Sequence, residues 1–200
     1  MSDFVSGHAA LDLVNTVARH GEGPLRRDDL IDAPAIVRWC RQAGVLGADS
    51  ASRLAGEAAT DDDGVTVRAV VDLRETLWHT LEPLIDDPER PVLVVPEQLR
   101  VRMTDALAHS DLAGDPLRWR LVPRQLADVP RVLALSAMDL LQSPDLRRLS
   151  HCANAACGWL FLDRTRNHSR RWCSSGNCGN RERARRFYRR RSSLTATRNA

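Results

Sequence analysis

Apolar residues recur at helical spacing through most of the first 146 positions of this chain. In "HAALDLVNTVAR" (8–19) they fall three and four residues apart, which predicts an amphipathic helix. A second helix is predicted between Asp32, a suitable N-cap, and Gly44, a suitable C-terminal stop. The same spacing predicts further helices over residues 49–59, 65–86, 128–142 and, if Pro96 begins one, 96–110.

One stretch alternates between apolar and polar residues, as a half-buried strand does. "PLRWRLVP" (116–123) places Leu117, Trp119 and Leu121 on one face, which predicts a short strand. Residues 92–95 are a candidate for its partner. The first 146 residues are therefore expected to be mainly helical with one small sheet.

The charge of the chain changes sign after residue 146. All 29 basic residues are Arg, and residues 1–146 carry 15 of them against 24 acidic residues, a net charge of −9. Residues 147–200 carry 14 Arg against 2 acidic residues, a net charge of +12. This shift predicts a regulatory or sensing domain over 1–146 (the body), a second unit over 147–191 (the finger) and a flexible tail over 192–200. A basic unit favours a polyanionic partner.

Four of the five cysteines lie within 27 residues of the finger. Cys152 and Cys157 form one pair, fifteen residues follow, and Cys173 and Cys178 form the second pair. Two pairs at this spacing are typical of a four-thiolate zinc site, in which all positions are filled by protein. The predicted cofactor is therefore one structural Zn²⁺ per chain, and the alternatives are buried free thiols or redox disulfides. Cys40 lies alone among apolar residues and is predicted to belong to the core.

The residues around the cysteines predict a small β element and a helix. "GWLFLD" (158–163) alternates like a strand, and 168–173 is predicted to return as its partner. A helix is predicted after Cys178, with Asn180 as its N-cap. The helix residues predicted to pack on the finger are Ala184, Phe187, Tyr188 and Arg191. The predicted fold class is α+β, mainly α with a small β element: a helical N-terminal domain and a C-terminal treble-clef-like or ribbon-like zinc finger.

Arginines cluster beside and after the cysteines, with seven in the eleven residues 181–191. Guanidinium groups suit phosphate oxygens and guanine edges, so this cluster predicts binding to duplex DNA. The predicted nucleic-acid-binding residues are Arg170, Arg171, Arg181, Arg183, Arg185, Arg186, Arg189 and Arg190. Three alternatives stay open: RNA, an acidic protein surface such as the body itself, and a solvated tail that is Arg-rich only because of a GC-rich coding sequence.

Polar residues share one face of the first predicted helix. Asp12, Asn15, Thr16 and Arg19 follow helical spacing, and His8 lies one turn before them. These five residues are candidates for a pocket that binds a small-molecule effector. The alternative is that they form hydrogen bonds that fix the start of the chain on the core. The body is accordingly expected to regulate the finger by binding a small molecule or by forming a homodimer.

Several classes of protein are not expected from this sequence. Residues 1–21 lack the basic start and unbroken apolar run of a signal peptide. No stretch approaches the roughly 18 apolar residues of a membrane span, so no membrane partner is expected. The expected location is the cytoplasm, with association to the nucleoid when DNA is bound. No phosphate-binding glycine loop, nucleophile elbow or His-Glu-x-x-His motif occurs, so an enzyme is not expected and no catalytic residue is predicted.

Two motifs make the chain similar to a known family. "CGWLFLDRTRNHSRRWCSSGNCGNR" (157–181) resembles the CGNR-type zinc finger, which is named for the run at 178–181. "GHAALDLVNTV" (7–17) is similar to the ABATE domain that usually precedes this finger. The resemblance implies that the four paired cysteines are the metal ligands and that Arg181 is the last residue of the motif. It also implies a bacterial, stress-induced transcription regulator that binds DNA.

Overall fold

The computed structural model describes residues 4–17, 28–61, 64–85, 93–154 and 157–188. Its helices are α1 (Ala9–Val14), α2 (Ala33–Gln42), α3 (Ala48–Ala58), α4 (Val65–Leu81), α5 (Glu97–Ala108), α6 (Val129–Gln142) and α7 (180–188). Its strands are β1 (Asp111–Ala113), β2 (Arg118–Arg120), β3 (Leu149–His151) and β4 (Leu160–Leu162). Short 3₁₀ segments lie at Glu82–Leu84, Leu126–Asp128 and Pro144–Arg148. No described helix is long and apolar enough to cross a membrane. The mainly α fold with small antiparallel sheets confirms the predicted fold class.

The two ends of α2 follow from residues that the sequence shows. Asp32 is the N-cap, and its Oδ1 accepts a hydrogen bond of 2.6 Å from the backbone N–H of Ala35. Pro34 lies in the first turn, where a missing N–H leaves no helical bond unmade. Gly44 follows the C-cap with a φ of +72°, a left-handed conformation that favours glycine. Both predicted ends are confirmed.

Helix α1 lies in the apolar core, where Leu11 is fully buried. It packs against α4 and α6 of the body and against β4 of the finger. The predicted helix over 8–19 is wrong at its C-terminal end, since Asn15 closes α1 as its C-cap. The chain turns after Asn15, and Val17 then pairs with Asp28 in an isolated β-bridge. The turn also directs the side chain of Asn15 toward the finger, as described below.

The partner predicted for the strand at 116–123 is wrong. Strand β2 pairs with β1, in a register that sets Leu112 opposite Trp119, and not with residues 92–95. Gly114 lies in the connection with a φ of +98°, which glycine adopts readily. Closing this short loop costs less chain entropy than pairing with a more distant segment. Trp119 remains 44% exposed, so the hairpin lies on the surface of the body.

The hairpin of β3 and β4 begins the finger and packs against the body. Leu149, Leu160 and Leu162 join the same apolar core as the helices of the body. One core therefore crosses the change of charge at residue 146. The division of the chain into separate domains at that residue stays a prediction.

The predicted strand at 168–173 is wrong. Strand β4 pairs with β3 and leaves residues 168–173 without a place in the sheet. They form a loop around the buried carboxylate of Asp163, which accepts hydrogen bonds from the backbone N–H groups of Thr165 (Oδ1, 2.9 Å) and Arg170 (Oδ2, 2.9 Å). A buried carboxylate requires such donors, and the loop supplies them. The need to satisfy one acidic group thus outweighs the weak alternation of this segment.

Candidate metal centre and nucleic-acid interface

The four paired cysteines of the finger converge on one point. The Sγ atoms of Cys152, Cys157, Cys173 and Cys178 all lie within 4.8 Å of one another. Those of Cys157 and Cys173 are 3.6 Å apart. A zinc ion with Zn–S bonds of ~2.3 Å in a tetrahedron holds its sulfurs about 3.8 Å apart. The arrangement therefore fits one structural zinc ion with four thiolate ligands, and the predicted cofactor is confirmed.

The turn between β3 and β4 presents the first two sulfurs. The backbone N–H of Cys152 donates to the carbonyl of Trp159 (2.9 Å), and the backbone N–H of Cys157 donates to the carbonyl of Asn154 (2.8 Å). These bonds bring the two ends of the turn together. The two thiols consequently point to the same side of the hairpin.

The other two sulfurs lie at the start of the last helix. A π-helical turn over Ser175–Gly179 carries Cys178 and continues directly into α7. Gly179 lies so close to Trp172 that a Cβ at this position would be 3.3 Å from the indole ring, so a larger residue would displace the ring. A metal shared between a hairpin turn and a helix start corresponds to the treble-clef-like form of the predicted finger.

Hydrogen bonds between the sulfurs favour a thiolate at Cys152 and a protonated thiol at Cys157. The side-chain Nδ2 of Asn154 lies 3.5 Å from Sγ of Cys178, and the backbone N–H groups of Cys173 and Asn154 donate to the sulfur of Cys152. Thiol hydrogen bonds from Cys157 and Cys173 lower the pKa of Cys152. The bond that Cys157 donates to Cys152 raises the pKa of Cys157 to about 12. A bound divalent cation removes this competition for protons, because coordinated thiols are deprotonated.

The fifth cysteine is separate from this cluster. Cys40 is fully buried on α2, within the apolar core of the body. Burial raises the pKa of its thiol to about 12, which keeps it neutral. Cys40 is therefore a core residue, as its apolar neighbours predicted.

The side chain of Asn15 joins the finger to the body. Its Nδ2 donates to the carbonyl of Leu160 (2.8 Å), and its Oδ1 accepts from the N–H of Leu160 (2.9 Å). Along the same edge of β4, the N–H of Leu162 donates to the carbonyl of Ser6 (2.8 Å). The amide thus satisfies buried backbone groups that would otherwise require a neighbouring strand. Strand β4 is held by β3 on one edge and by residues of the body on the other.

The other polar residues of α1 face separate partners. Asp12 is buried and accepts a hydrogen bond of 3.1 Å from the backbone N–H of Ser6, and burial raises the pKa of its carboxyl. His8 accepts from the first turn of α1 through Nδ1, and its Nε2 lies 3.2 Å from Oδ2 of Asp139. A pocket lined jointly by these residues stays a prediction, and Arg19 lies outside the described residues.

The buried guanidinium of Arg74 ties the segment after α1 to α4. Arg74 is 1% exposed. It donates to both carboxylate oxygens of Asp28 (2.8 and 2.9 Å), to Oγ1 of Thr16 (3.2 Å) and to the carboxylate of Glu75 (2.9 Å). Asp28 lies 46 residues before Arg74, so helical spacing could not identify it as the partner. Thr16, predicted for a pocket, contributes to this network.

The two consecutive arginines of the loop differ in their surroundings. Arg170 lies over the ring of Phe161, 4.2 Å from its centroid, and burial lowers the pKa of the Arg170 guanidinium. Arg171 is exposed, with its guanidinium 5.5 Å from the ring of Trp172. Arg170 donates to three backbone carbonyls, those of Val5, Trp172 and Cys173. Arg170 therefore holds the finger against the residues before α1, whereas Arg171 faces outward.

The described part of α7 exposes its arginines. These residues are Arg181, Arg183, Arg185 and Arg186. Arg183 reaches back to the carbonyl of Ser175 (3.0 Å), and Arg186 pairs with Glu182 (3.2 Å). The predicted Arg189 and Arg190 lie outside the described residues.

Two predictions for α7 are wrong. Asn180 has helical dihedral angles (φ −66°, ψ −43°), and the N-cap is Ser174, because the turn that carries Cys178 is itself helical. Phe187 and Tyr188 do not pack on the finger: they are 55% and 66% exposed, with their rings in edge-to-face contact at 5.7 Å. An aromatic pair therefore projects beside the exposed arginines.

A groove runs along the finger between the loop and the start of the last helix. It encloses about 680 Å³, and none of its described lining residues is acidic. Hydroxyl and guanidinium groups are hydrogen-bond donors that phosphate oxygens accept. The polar side chains of this groove, here the basic groove, are Thr165, Ser169, Arg170, Arg171, Ser174 and Ser175.

The cysteine cluster on a hairpin turn and a helix start defines the chain as a zinc-finger protein. Residues 148–191 match the CGNR zinc finger. Residues 7–159 match the ABATE family, which is described as "Putative stress-induced transcription regulator". The chain belongs to the ABATE family and carries a CGNR zinc finger, so the resemblance in its motifs is confirmed. Comparison with curated proteins gives no match.

The two family matches overlap over residues 148–159. This overlap contains β3 and the turn that carries the first two cysteines. The same hairpin contributes to the apolar core of the body and to the metal centre. The overlap of the matches thus coincides with the place where the two parts of the fold are joined.

Proposed function

We propose that this protein regulates transcription by binding duplex DNA through the basic surface of its finger. The net charge reverses from −9 over residues 1–146 to +12 over residues 147–200, and the arginines of α7 are exposed. This distribution of charge is the main support for the proposal. Like charges on one helix repel each other, and phosphates relieve that repulsion. The basic surface consists of Arg171, Arg181, Arg183, Arg185 and Arg186. It does not include Arg170, because the guanidinium of Arg170 faces the protein.

The acidic residues of the finger do not balance its arginines. Residues 147–200 contain only Asp163 and Glu182 as acids. Asp163 is buried within the loop, and Glu182 pairs with Arg186. Arg148 and Arg164 pair with Asp145 of the body, whereas the exposed Arg171, Arg181 and Arg185 remain available to an external polyanion.

The basic groove supports a path for a phosphate backbone. Ser174 and Ser175 line this groove and also begin the last helix, so a strand lying in the groove would continue along α7. The role proposed for zinc is to hold the helix at a fixed angle to the groove, because both are attached to the metal ligands. Four protein ligands leave no open position for a substrate, and no catalytic role is proposed.

The proposed role of the body is regulation, either by a small molecule or by formation of a homodimer. The core shared by both parts and the bonds of Asn15 to β4 support this role, since a change in the body would reach the finger through α1. A cytoplasmic location, with association to the nucleoid when DNA is bound, belongs to the same proposal.

A second candidate is binding to single-stranded nucleic acid, including RNA. The exposed rings of Phe187 and Tyr188 favour it, because unpaired bases stack on aromatic side chains. Duplex DNA has its bases already stacked and uses such rings less. The two candidates share the arginines and differ in their need for the aromatic pair.

Binding to duplex DNA, single-stranded DNA and RNA at graded salt concentrations tests the proposal. Replacing both Arg181→Gln and Arg185→Gln is expected to weaken binding to the duplex and to lower the log–log salt slope by about 2, since each phosphate contact contributes about 0.9. Replacing Arg38→Gln and Arg41→Gln, exposed residues of α2, removes the same charge from the body and serves as the matched control.

The outcomes separate the candidates. Preference for single strands, lost when Phe187→Ala and Tyr188→Ala are combined, would replace duplex DNA with the second candidate. If the double substitution on α2 weakens binding to the duplex as much as the double substitution on α7 does, the affinity depends only on the net charge of the protein. Absence of salt-sensitive binding to all three polymers would defeat both candidates and favour an acidic protein partner.

A further inference from the structure

A groove on the body has no part in the proposed contact with nucleic acid. It lies between the hairpin of β1 and β2 and helix α6, and it encloses about 380 Å³, which is in the range of small-molecule sites. Leu117 and Trp119 form its wall on the hairpin, and Leu135 and Met138 form its wall on α6. Leu117 is 65% exposed and Trp119 is 44% exposed, so the apolar surface of the hairpin remains open to a ligand.

The polar lining of this groove consists of Arg118, Ser136, Asp139 and Gln142, and Arg118 is its cationic donor. Both oxygens of Asp139 are engaged: Oδ1 lies 3.1 Å from Nη1 of Arg118, and Oδ2 lies 3.2 Å from Nε2 of His8. Arg118 has several N–H donors, and among the described residues only this contact to Asp139 engages them. Both members of the Arg118–Asp139 pair are more than half exposed, so the pair is weak. Ser136 and Gln142 are neutral, so the unused donors of Arg118 are the cationic groups that the groove offers to a ligand.

We propose that this groove binds a small amphipathic anion, an organic carboxylate with an aromatic or aliphatic body. The apolar part lies between Trp119 and Met138, and the carboxylate accepts hydrogen bonds from Arg118. The volume of the groove lies within the range of small-molecule sites, so a small molecule is the proposed occupant. A neutral apolar ligand would leave the donors of Arg118 unused. A cation would have only the carboxylate of Asp139 to bind, and that group already contacts Arg118 and His8.

A chain of contacts joins this site to the finger. Asp139 bonds to His8, whose Nδ1 accepts from the backbone N–H of Ala10 at the start of α1. The other end of the same helix holds β4 through Asn15. A ligand that draws Arg118 away from Asp139 thus acts on the residue that caps α1. The inference deepens the regulatory part of the proposed function and, in this consequence, rests on it.

The test uses two fluorescent probes on the full, zinc-loaded chain. 1-Anilinonaphthalene-8-sulfonate carries aromatic rings and an anionic group, and N-phenyl-1-naphthylamine carries the same rings without charge. One anionic probe is expected to bind per chain, and Arg118→Gln is expected to weaken it about tenfold while leaving the neutral probe unchanged. Arg120→Gln removes the same charge from the same strand, outside the lining of the groove, and is expected to change neither affinity.

The site is overturned by equal affinities of the Arg118→Gln and Arg120→Gln proteins for the anionic probe. Self-association that excludes the probe, seen by sedimentation at rising protein concentration, also overturns it in favour of a second copy of the chain. The regulatory consequence is tested separately, because a saturating anionic probe should alter the DNA affinity of the unmodified protein and not that of Arg118→Gln. Unchanged affinity overturns this consequence. A protein that binds the probe but no DNA defeats only the proposed function.

Discussion

The body and the finger are stabilised by different means. The body buries the apolar faces of its helices in one continuous core. The buried cluster of the finger consists of Phe161 and three of the cysteines, with a few half-buried neighbours. So small a cluster does not offset the entropy of ordering the chain without a metal. Apolar spacing is therefore sufficient for the body, whereas the finger requires coordination chemistry. The hairpin that they share makes each region sensitive to the other.

Removal of zinc is expected to have the largest effect and to act first on the finger. Structural zinc contributes on the order of 10 kcal/mol in small fingers. Cys178→Ser should reduce the zinc content from one per chain to none and unfold α7, while the helices of the body remain. Metal analysis and far-ultraviolet circular dichroism measure both results.

Cys40→Ala is the matched control for this prediction, because Cys40 is a buried cysteine that does not reach the metal. It should lower the melting temperature and leave one zinc per chain. Retention of zinc by Cys178→Ser, or an intact α7 without metal, would contradict the dependence of the finger on coordination.

The buried ion pair of the body is expected to have the next largest effect. Asp28→Asn leaves the buried guanidinium of Arg74 without its bidentate partner and should lower the free energy of unfolding by about 3 kcal/mol. Asp49→Asn, on the exposed first turn of α3, should lower it by less than about 0.5 kcal/mol. Urea unfolding measures both. The zinc site is expected to stay intact in Asp28→Asn. Loss of zinc from this variant at neutral pH without denaturant would show that the ion pair of the body is needed for metal binding by the finger.

The link between the regions is expected to have an intermediate effect. Asn15→Ala removes both hydrogen bonds to Leu160 and leaves buried backbone groups unsatisfied, so the free energy of unfolding should fall by about 2 kcal/mol. Zinc release to a chelator and the loss of helix in urea should then occur at different urea concentrations. Gln98→Ala, exposed on α5, should leave the two transitions coincident. If they also stay coincident in Asn15→Ala, this residue does not couple the regions.

The dependence of stability on pH is expected to give the smallest effect. Burial raises the pKa of Asp12 above its ordinary value of 3.8, so the folded chain binds a proton more tightly than the unfolded chain does. Its contribution to stability is present below pH 3.8 and is lost as the pH rises through the higher pKa of the folded state. Asp12→Asn should remove this loss. The free energy of unfolding of the variant minus that of the parent should therefore increase as pH rises through that window. Parallel curves from denaturant unfolding across this window would exclude the effect.

The metal centre and the ends of α2 could be predicted because their chemistry is local. The four ligands fall within 27 residues, and a cap acts on the turn beside it. The contact of Asn15 with β4 could not be predicted in this way. Backbone groups are alike in every residue, and Asn15 lies 145 residues from Leu160. The exposure of Phe187 and Tyr188 was missed for a related reason: helical spacing shows which residues share a face, but not whether anything covers it.

The helical body, the zinc ligands and the reversal of charge follow from the sequence, because each depends on neighbouring residues or on a sum over them. That Arg170 faces the protein while Arg171 faces solvent is visible only in the tertiary structure. It alone placed Arg118 beside an apolar groove and joined α1 to β4. These features depend on contacts between distant parts of the chain, and packing selects those contacts by burial and by the need to satisfy every buried polar group.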